Sequence, residues 1–166
     1  MRALFVVVSG APGSGKSTLA RELAPLLDLP LLMKDTIKEA IADELGAANP
    51  AESKRLGAAT MNVLLALARQ NRGAVIESTW VPELSRPALR DLRPIVEVFV
   101  EVPVEEAFRR YRERAGTRHF VHFDHDVDEA AIRERARAIG GDWPLVTVDG
   151  TRDYDIEAIV EQILSA

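Results

Sequence analysis

The fold is decided by residues 4–18, which read LFVVVSGAPGSGKST. The first five residues are apolar and mostly β-branched, which is typical of a strand buried on both faces of a sheet. Residues 10–17 fit the pattern G-x-x-x-x-G-K-[ST], in which glycines let successive backbone N–H groups point inward around phosphate oxygens. A helical pattern starts at Lys16 and is expected to end near Pro25. The stretch therefore predicts a strand, a phosphate-binding loop and a helix whose positive dipole end lies beneath the phosphates.

Beyond this loop, short apolar runs alternate with longer helical patterns. Strands are predicted at 29–33, 74–77, 95–100 and 145–148, and helices at 35–45, from 50 onward, at 103–115 and at 153–164. Such alternation indicates a parallel sheet covered on both faces. The predicted fold class is α/β: three layers around a parallel sheet of about five strands, in a single domain over residues 1–166. A polar stretch at about 110–128 is predicted to be a small lid.

Composition excludes several classes of protein. The 166 residues, 47% of them hydrophobic, suffice for one domain with a sizeable core. The absence of cysteine excludes disulfides, thiolate metal sites and cysteine nucleophiles. The net charge of −5 argues against a general nucleic-acid coat protein. The apolar run at 3–8 is too short to span a bilayer, so we expect a cytoplasmic protein without a membrane partner.

The phosphate loop supplies most of the candidate nucleotide-binding residues. They are Gly10, Ala11, Pro12, Gly13, Ser14, Gly15, Lys16, Ser17 and Thr18. Lys16 is expected to reach the β- and γ-phosphates, and the Ser17 hydroxyl is expected to bind Mg²⁺. A nucleoside triphosphate is therefore the predicted ligand, with ATP as phosphate donor and Mg²⁺ as cofactor.

Asp35 is the candidate catalytic acid or base. It follows the apolar run at 31–33, and so lies at the carboxyl end of the second predicted strand, where ligands bind in open parallel sheets. A carboxylate there can accept the proton of an attacking hydroxyl. The same position also suits an aspartate that merely caps its helix, so both interpretations stay open. Lys34 is expected to face the same cleft.

Four segments together resemble the small P-loop kinases. They are residues 10–18, Lys34-Asp35, the strand 75–79, and the pair Arg110 and Arg114. That group of P-loop NTPases includes gluconate kinase, chloramphenicol phosphotransferase, zeta-toxin-like kinases and the kinase domain of polynucleotide kinases. The resemblance implies that Asp35 is a general base toward an acceptor hydroxyl. It also implies that lid arginines act in catalysis, with Arg114 on the phosphates, and that Arg110 and Thr151 border the nucleotide; a solvated helix face is the alternative for the arginines.

Further polar residues complete the predicted site. Glu77 ends a buried-looking strand and is a candidate for Mg²⁺, with a structural glutamate as the alternative. The acceptor side is predicted to comprise Lys34, Asp35, Thr79, Trp80 and Arg118, although packing accounts for Trp80 equally well. His119, His122 and His125 superficially suggest a metal cluster, but the nearby Gly116 and aspartates argue against the regular helix that it requires. A lid contact with substrate, or simple exposure, are the other interpretations.

The predicted function is transfer of the γ-phosphate of ATP to a hydroxyl of a small molecule. One alternative is a 5′-hydroxyl polynucleotide kinase, for which residues 109–118 offer the only run of positive charge in the sequence. Another is a nucleotide-sensing module without transfer activity. Pocket-lining residues are expected to be spread over the helices at 35–71, a stretch that is mostly apolar packing and has no charge pattern that indicates the acceptor.

Overall fold

The central layer is a five-stranded parallel sheet. In the computed structural model, which describes residues 3–123 and 127–166, its strands are β1 (Phe5–Gly10), β2 (Leu31–Met33), β3 (Ala74–Glu77), β4 (Ile95–Glu101) and β5 (Leu145–Asp149). Their order is β2-β3-β1-β4-β5, and every neighbouring pair is parallel. The predicted α/β fold class is therefore confirmed.

Helices cover both faces of the sheet. They are α1 (Lys16–Leu26), α2 (Lys34–Leu45), α3 (Pro50–Gln70), α4 (Pro82–Leu89), α5 (Val104–Arg114), α6 (Glu129–Arg135) and α7 (Ile156–Ser165), with a 3₁₀ turn at Ala115–Thr117. Val6 and Val8 pack among α1 and α7 on one face, while Phe5 and Val7 pack among α3 and α4 on the other. This alternation explains why residues 5–8 of β1 are all apolar: successive side chains enter different cores.

The helices depart from the sequence predictions most clearly at α4 and at the start of α7. Helix α4 was not predicted, since its eight residues contain two prolines and have too short an apolar pattern. Helix α7 begins at Ile156 rather than at residue 153, because the Asp155 side chain accepts hydrogen bonds from the backbone N–H groups of Glu157 and Ala158 and caps the helix there. Within the described ranges, no helix combines the length and apolarity needed to cross a membrane.

A buried carboxylate ties the sheet to the segment before β5. Glu97 of β4 is fully buried, and its side chain accepts four hydrogen bonds. The donors are the Ser9 hydroxyl (2.6 Å), the backbone N–H groups of Ile139 (2.7 Å) and Gly140 (3.2 Å), and Trp143 Nε1 (3.1 Å). The sequence predictions did not include Glu97, although a charged residue inside a buried apolar run indicates a partner elsewhere in the fold.

Strand order positions the site. The first crossover connection leaves β1 toward β2 and β3, whereas β4 and β5 lie on the other side of β1. Ligands in open parallel sheets bind outside the carboxyl ends of the strands at such a reversal. In register, Glu77 at the end of β3 pairs with Val8 of β1 and with Met33 of β2. The segments that follow these three strands therefore meet at one edge.

Candidate active site

The loop between β1 and α1 has the geometry of a phosphate cradle. Gly13 has φ +89°, and a Cβ atom there would lie 2.2 Å from the carbonyl oxygen of Ala107 in α5. The loop can therefore pass α5 only without a side chain at this position. Ser14 Oγ is buried and has no hydrogen-bond partner among the described residues. A buried polar atom without a partner is costly, so a ligand oxygen at this loop would satisfy it.

Lys16 places its amine at the mouth of this loop. Its Nζ donates to the carbonyl oxygen of Ala11 at 3.3 Å and lies 3.8 Å from Oε1 of Glu77. Burial lowers the pKa of Lys16, while the charges of Glu77 and Asp35 act in the opposite direction. A largely desolvated ammonium at the first turn of a helix favours an anion that can replace its lost hydration.

Ser17 and Glu77 form a pair of oxygen ligands. The Ser17 hydroxyl donates to Oε1 of Glu77 at 3.2 Å. Glu77 is buried, and this burial raises the pKa of its carboxyl group, whereas Lys16 opposes the rise. A hydroxyl and a carboxylate are hard oxygen donors, which suit Mg²⁺ held directly or through water. The donor set thus fits the predicted magnesium ion.

A cleft of about 600 Å³ opens in front of the loop. Asp35 lies on its wall, where Oδ2 accepts a hydrogen bond from Nη2 of Arg118 at 3.2 Å. Arg114 also lines this cleft, and its charge contributes to lowering the pKa of Lys16. Eight predicted site residues line the cleft together: Pro12, Lys16, Ser17, Lys34, Asp35, Thr79, Arg114 and Arg118.

Other predicted site residues lie elsewhere. The acceptor-side prediction for Trp80 is corrected, because its ring is buried in the core and Nε1 donates to the carbonyl oxygen of Val8 at 3.0 Å. Arg110 is also apart from the cleft: Nη1 donates to the carbonyl oxygen of Gly150 at 2.8 Å, next to the exposed Thr151. Arg110 and Thr151 thus lie close together, where α5 meets the segment after β5. This proximity is consistent with the prediction that both border the nucleotide. Thr18 is exposed on the first turn of α1.

The described part of the predicted lid meets acids of α2 through three side-chain contacts, which we call the lid clasp. Besides the contact from Arg118 to Asp35, His122 Nε2 lies 2.8 Å from Glu39 Oε1 and His119 Nε2 lies 2.9 Å from Asp43 Oδ1. The three acids recur every four residues, and so share one face of α2.

The lid clasp accounts for two of the predicted histidines. Their partners are carboxylates on α2, and the described part of the chain contains no group of three or more His, Asp or Glu side chains arranged to hold a metal. His125 lies outside the described residues. Burial lowers the pKa of His122, against the opposing effect of nearby Asp35.

Several cleft residues escaped sequence reasoning. Residues 35–71 line the pocket as expected, but they do so with the charged and polar side chains of Lys38, Glu39, Ser53 and Lys54. Arg135 joins them from α6. The detectable signal was the recurrence of charge every four residues on α2, where Lys34 and Lys38 share one face, as do Asp35 and Glu39.

Comparison with known proteins places the chain in a family. Residues 5–139 match the AAA domain family AAA_33. A cytidylate kinase from Pyrobaculum arsenaticum is 32% identical, over 66% of this chain and 72% of that protein. A crystal structure from Chloroflexus aurantiacus, provisionally assigned as a kinase, is 28% identical and covers 99% of this chain and 97% of its own, with a TM-score of 0.81. A gluconokinase from Sinorhizobium meliloti shares the fold at 21% identity, covering 99% of this chain and 92% of its own, with a TM-score of 0.60. The chain thus belongs to the AAA_33 family of kinase-like P-loop domains.

Proposed function

We propose that this protein transfers the γ-phosphoryl group of ATP to a hydroxyl of a small molecule, and that Asp35 receives the hydroxyl proton. The observation that carries the proposal is the position of the Asp35 carboxylate, on the wall of the same cleft as Lys16 and Ser17. About half of the Asp35 side chain is exposed to that cleft, and its first-turn position on α2 leaves its oxygens available to an entering acceptor.

Each residue then has a physical task. Lys16 and the loop N–H groups bind the triphosphate, and Ser17 and Glu77 hold Mg²⁺, which when bound neutralises charge on the phosphate oxygens. Asp35 accepts the proton as the acceptor oxygen forms its bond to phosphorus and the bond from phosphorus to the ADP oxygen breaks. Arg114 stabilises negative charge on the transferring group. Closure of the lid excludes water, which would otherwise compete as acceptor.

The test is ADP release from Mg·ATP in the presence of a panel of acceptors. The panel comprises sugars, sugar acids, nucleosides, nucleoside monophosphates, aminoglycosides and 5′-hydroxyl oligonucleotides. Asp35→Asn should lower acceptor-stimulated kcat about 10²–10⁴-fold while ATP affinity is retained, since a general base contributes on that order. Asp43→Asn is the matched control, because it removes a lid-clasp acid two turns along the same helix without altering the cleft wall. Equal activity of Asp35→Asn and wild type contradicts the assignment of the base.

A second candidate is transfer to a phosphate group of a nucleotide. The 32% identical relative is a cytidylate kinase, and this similarity favours the candidate. A phosphate acceptor is already ionised near neutral pH and needs no base. Stimulation by cytidine 5′-monophosphate that survives Asp35→Asn therefore supports the second candidate, whereas stimulation by a nucleoside or sugar that Asp35→Asn abolishes supports the first. Tight ATP binding without transfer to any acceptor supports a nucleotide-sensing module instead.

A further inference from the structure

Positive charge is concentrated at the acceptor end of the cleft, although the chain as a whole has a net charge of −5. Lys34, Lys38, Lys54 and Arg135 line this end, from α2, α3 and α6. Among the described residues, the two carboxylates that line the cleft, Asp35 and Glu39, contact Arg118 and His122 of the lid clasp. Both acids thus contact side chains of the lid clasp.

Two of these cations lie close enough to repel each other. Lys34 is half-buried, and its burial lowers the pKa of its amine; the charge of Arg135 lowers this pKa further, while Asp35 raises it. Neither Lys34 nor Arg135 forms an ion pair with a carboxylate in the described ranges. Like charges that share a desolvated corner destabilise the protein unless a counter-charge binds between them.

The corner belongs to the cleft of about 600 Å³, which Lys34, Lys38 and Arg135 line, and α3 meets the two lysines at a position without a side chain. A Cβ atom on Gly57 would lie 3.9 Å from Nζ of Lys34 and 3.9 Å from Cε of Lys38. Lys38 Nζ donates to Ser53 Oγ at 2.7 Å, and Ser53 Oγ donates to the carbonyl oxygen of Val121 at 2.6 Å. Helix α2, helix α3 and the lid therefore enclose a corner into which the Lys34 amine projects.

We propose that this corner, formed by Lys34, Lys38, Gly57 and Arg135, is a subsite for an anionic group of the phosphate acceptor. The group is a carboxylate or a phosphate, separate from the phosphates that the β1–α1 loop binds. As a statement about the acceptor, this rests on the proposed function. Lys34 is adjacent to Asp35, so the anionic group and the reacting hydroxyl belong to one compact molecule, such as a hydroxy acid or a phosphorylated alcohol.

The kinetic test compares acceptors that share a skeleton but differ in charge. Glucose, gluconate and glucose 6-phosphate form one series, and cytidine and cytidine 5′-monophosphate another. Lys34→Met removes the ammonium at similar volume, and Arg55→Met is the control, because Arg55 is an exposed α3 cation outside the cleft lining. We expect the charged members to be preferred, and Lys34→Met to raise their KM at least 10-fold while KM for neutral members changes less than 3-fold.

The results separate the two anions and can overturn the inference. Preference for gluconate over glucose 6-phosphate identifies a carboxylate, and the reverse identifies a phosphate. Equal use of neutral and charged acceptors, or an equal loss for both in Lys34→Met, overturns the subsite while leaving the kinase assignment intact.

A binding measurement tests the subsite even if no acceptor in the panel is phosphorylated. With Mg²⁺ and a non-hydrolysable ATP analogue saturating the phosphate loop, inorganic phosphate or acetate is added at constant ionic strength and the thermal midpoint is recorded. We expect one of these anions to raise the midpoint of the wild type and of Arg55→Met, but not that of the double variant Lys34→Met, Arg135→Met. An equal shift in all three proteins, or none in any, overturns the inference. Loss of kinase activity alone bears on the proposed function.

Discussion

Replacing Glu97 with glutamine should destabilise the protein strongly although the two side chains have nearly the same shape. Oε1 of Glu97 accepts from the Ser9 hydroxyl and the Ile139 N–H, and Oε2 accepts from the Gly140 N–H and from Trp143 Nε1. A carboxylate can accept all four hydrogen bonds, whereas an amide has one oxygen and one NH₂ group. In the variant, the two donors that contacted one of the carboxylate oxygens therefore face the NH₂ group instead.

The magnitude follows from the two possible orientations of the amide. If NH₂ replaces Oε1, the Ser9 hydroxyl can rotate and accept, and the Ile139 N–H alone loses its acceptor. If NH₂ replaces Oε2, both Gly140 and Trp143 lose theirs. The first orientation is favoured, and its one unsatisfied buried donor costs about 1–3 kcal/mol. The remaining hydrogen bonds lose a charged acceptor, which costs roughly 1 kcal/mol more. We expect a loss of about 2–4 kcal/mol in the free energy of unfolding.

Urea unfolding measures this loss, and Glu101→Gln is the matched control. Glu101 ends the same strand with an exposed side chain, so its substitution should change the free energy by no more than about 0.5 kcal/mol. For a chain of this length, each kcal/mol lost from the free energy of unfolding lowers the melting temperature by about 2–4 °C. Thermal unfolding should therefore also rank Glu97→Gln well below Glu101→Gln in stability. A Glu97→Gln protein as stable as the control would refute the four-bond network.

Three shorter predictions concern the site itself. Glu77→Gln should raise the Mg²⁺ concentration for half-maximal ADP release about 10–100-fold, and an unchanged magnesium titration would assign Glu77 a structural role. Gly13→Ala should abolish calorimetrically detected binding of an ATP analogue and cost at least about 1–2 kcal/mol of stability, since the new Cβ meets the Ala107 carbonyl at a positive φ. Burial lowers the pKa of His122 below 6.5, so as the pH falls the unfolded chain binds this proton before the folded chain does, and the free energy of unfolding decreases below about pH 6.5. His122→Gln should therefore flatten the dependence of this free energy on pH, measured by urea unfolding. An unchanged slope in the variant contradicts the prediction.

The sequence predicted what depends on local pattern. The run before the phosphate loop, the glycines of the loop and the alternation of strands with helices are all short-range signals, and each was confirmed in the fold. The position of Asp35 also followed from local sequence, because the carboxyl end of a parallel strand fixes which edge of the sheet a residue faces. Its role as general base remains a prediction.

Residues whose environment depends on distant elements could not be placed in this way. Trp80 directly follows β3 and its site residues, yet its ring turns into the core because Val8 offers a buried carbonyl oxygen there. The buried position of Glu97 is explained only by the Ile139 and Gly140 N–H groups, which lie more than forty residues later in the chain and donate to its carboxylate. The charge at the acceptor end likewise requires α6 to bring Arg135 toward Lys34, and no spacing within either helix predicts that encounter.

Helix α2 carries the proposed base Asp35, contacts the lid and contributes two lysines to the proposed anion subsite. One of its faces carries Asp35, whose carboxylate contacts the lid, and the neighbouring face carries Lys34 and Lys38, which approach α3 at Gly57. An acceptor lying along α2 would therefore meet positive charge with its anionic group and a carboxylate with its hydroxyl. Arg118 donates to Oδ2 of the same carboxylate, so on the proposed assignment the acceptor hydroxyl and the lid share the Asp35 carboxylate. Acceptor binding and the lid clasp are therefore linked through Asp35, since both contact one carboxylate group.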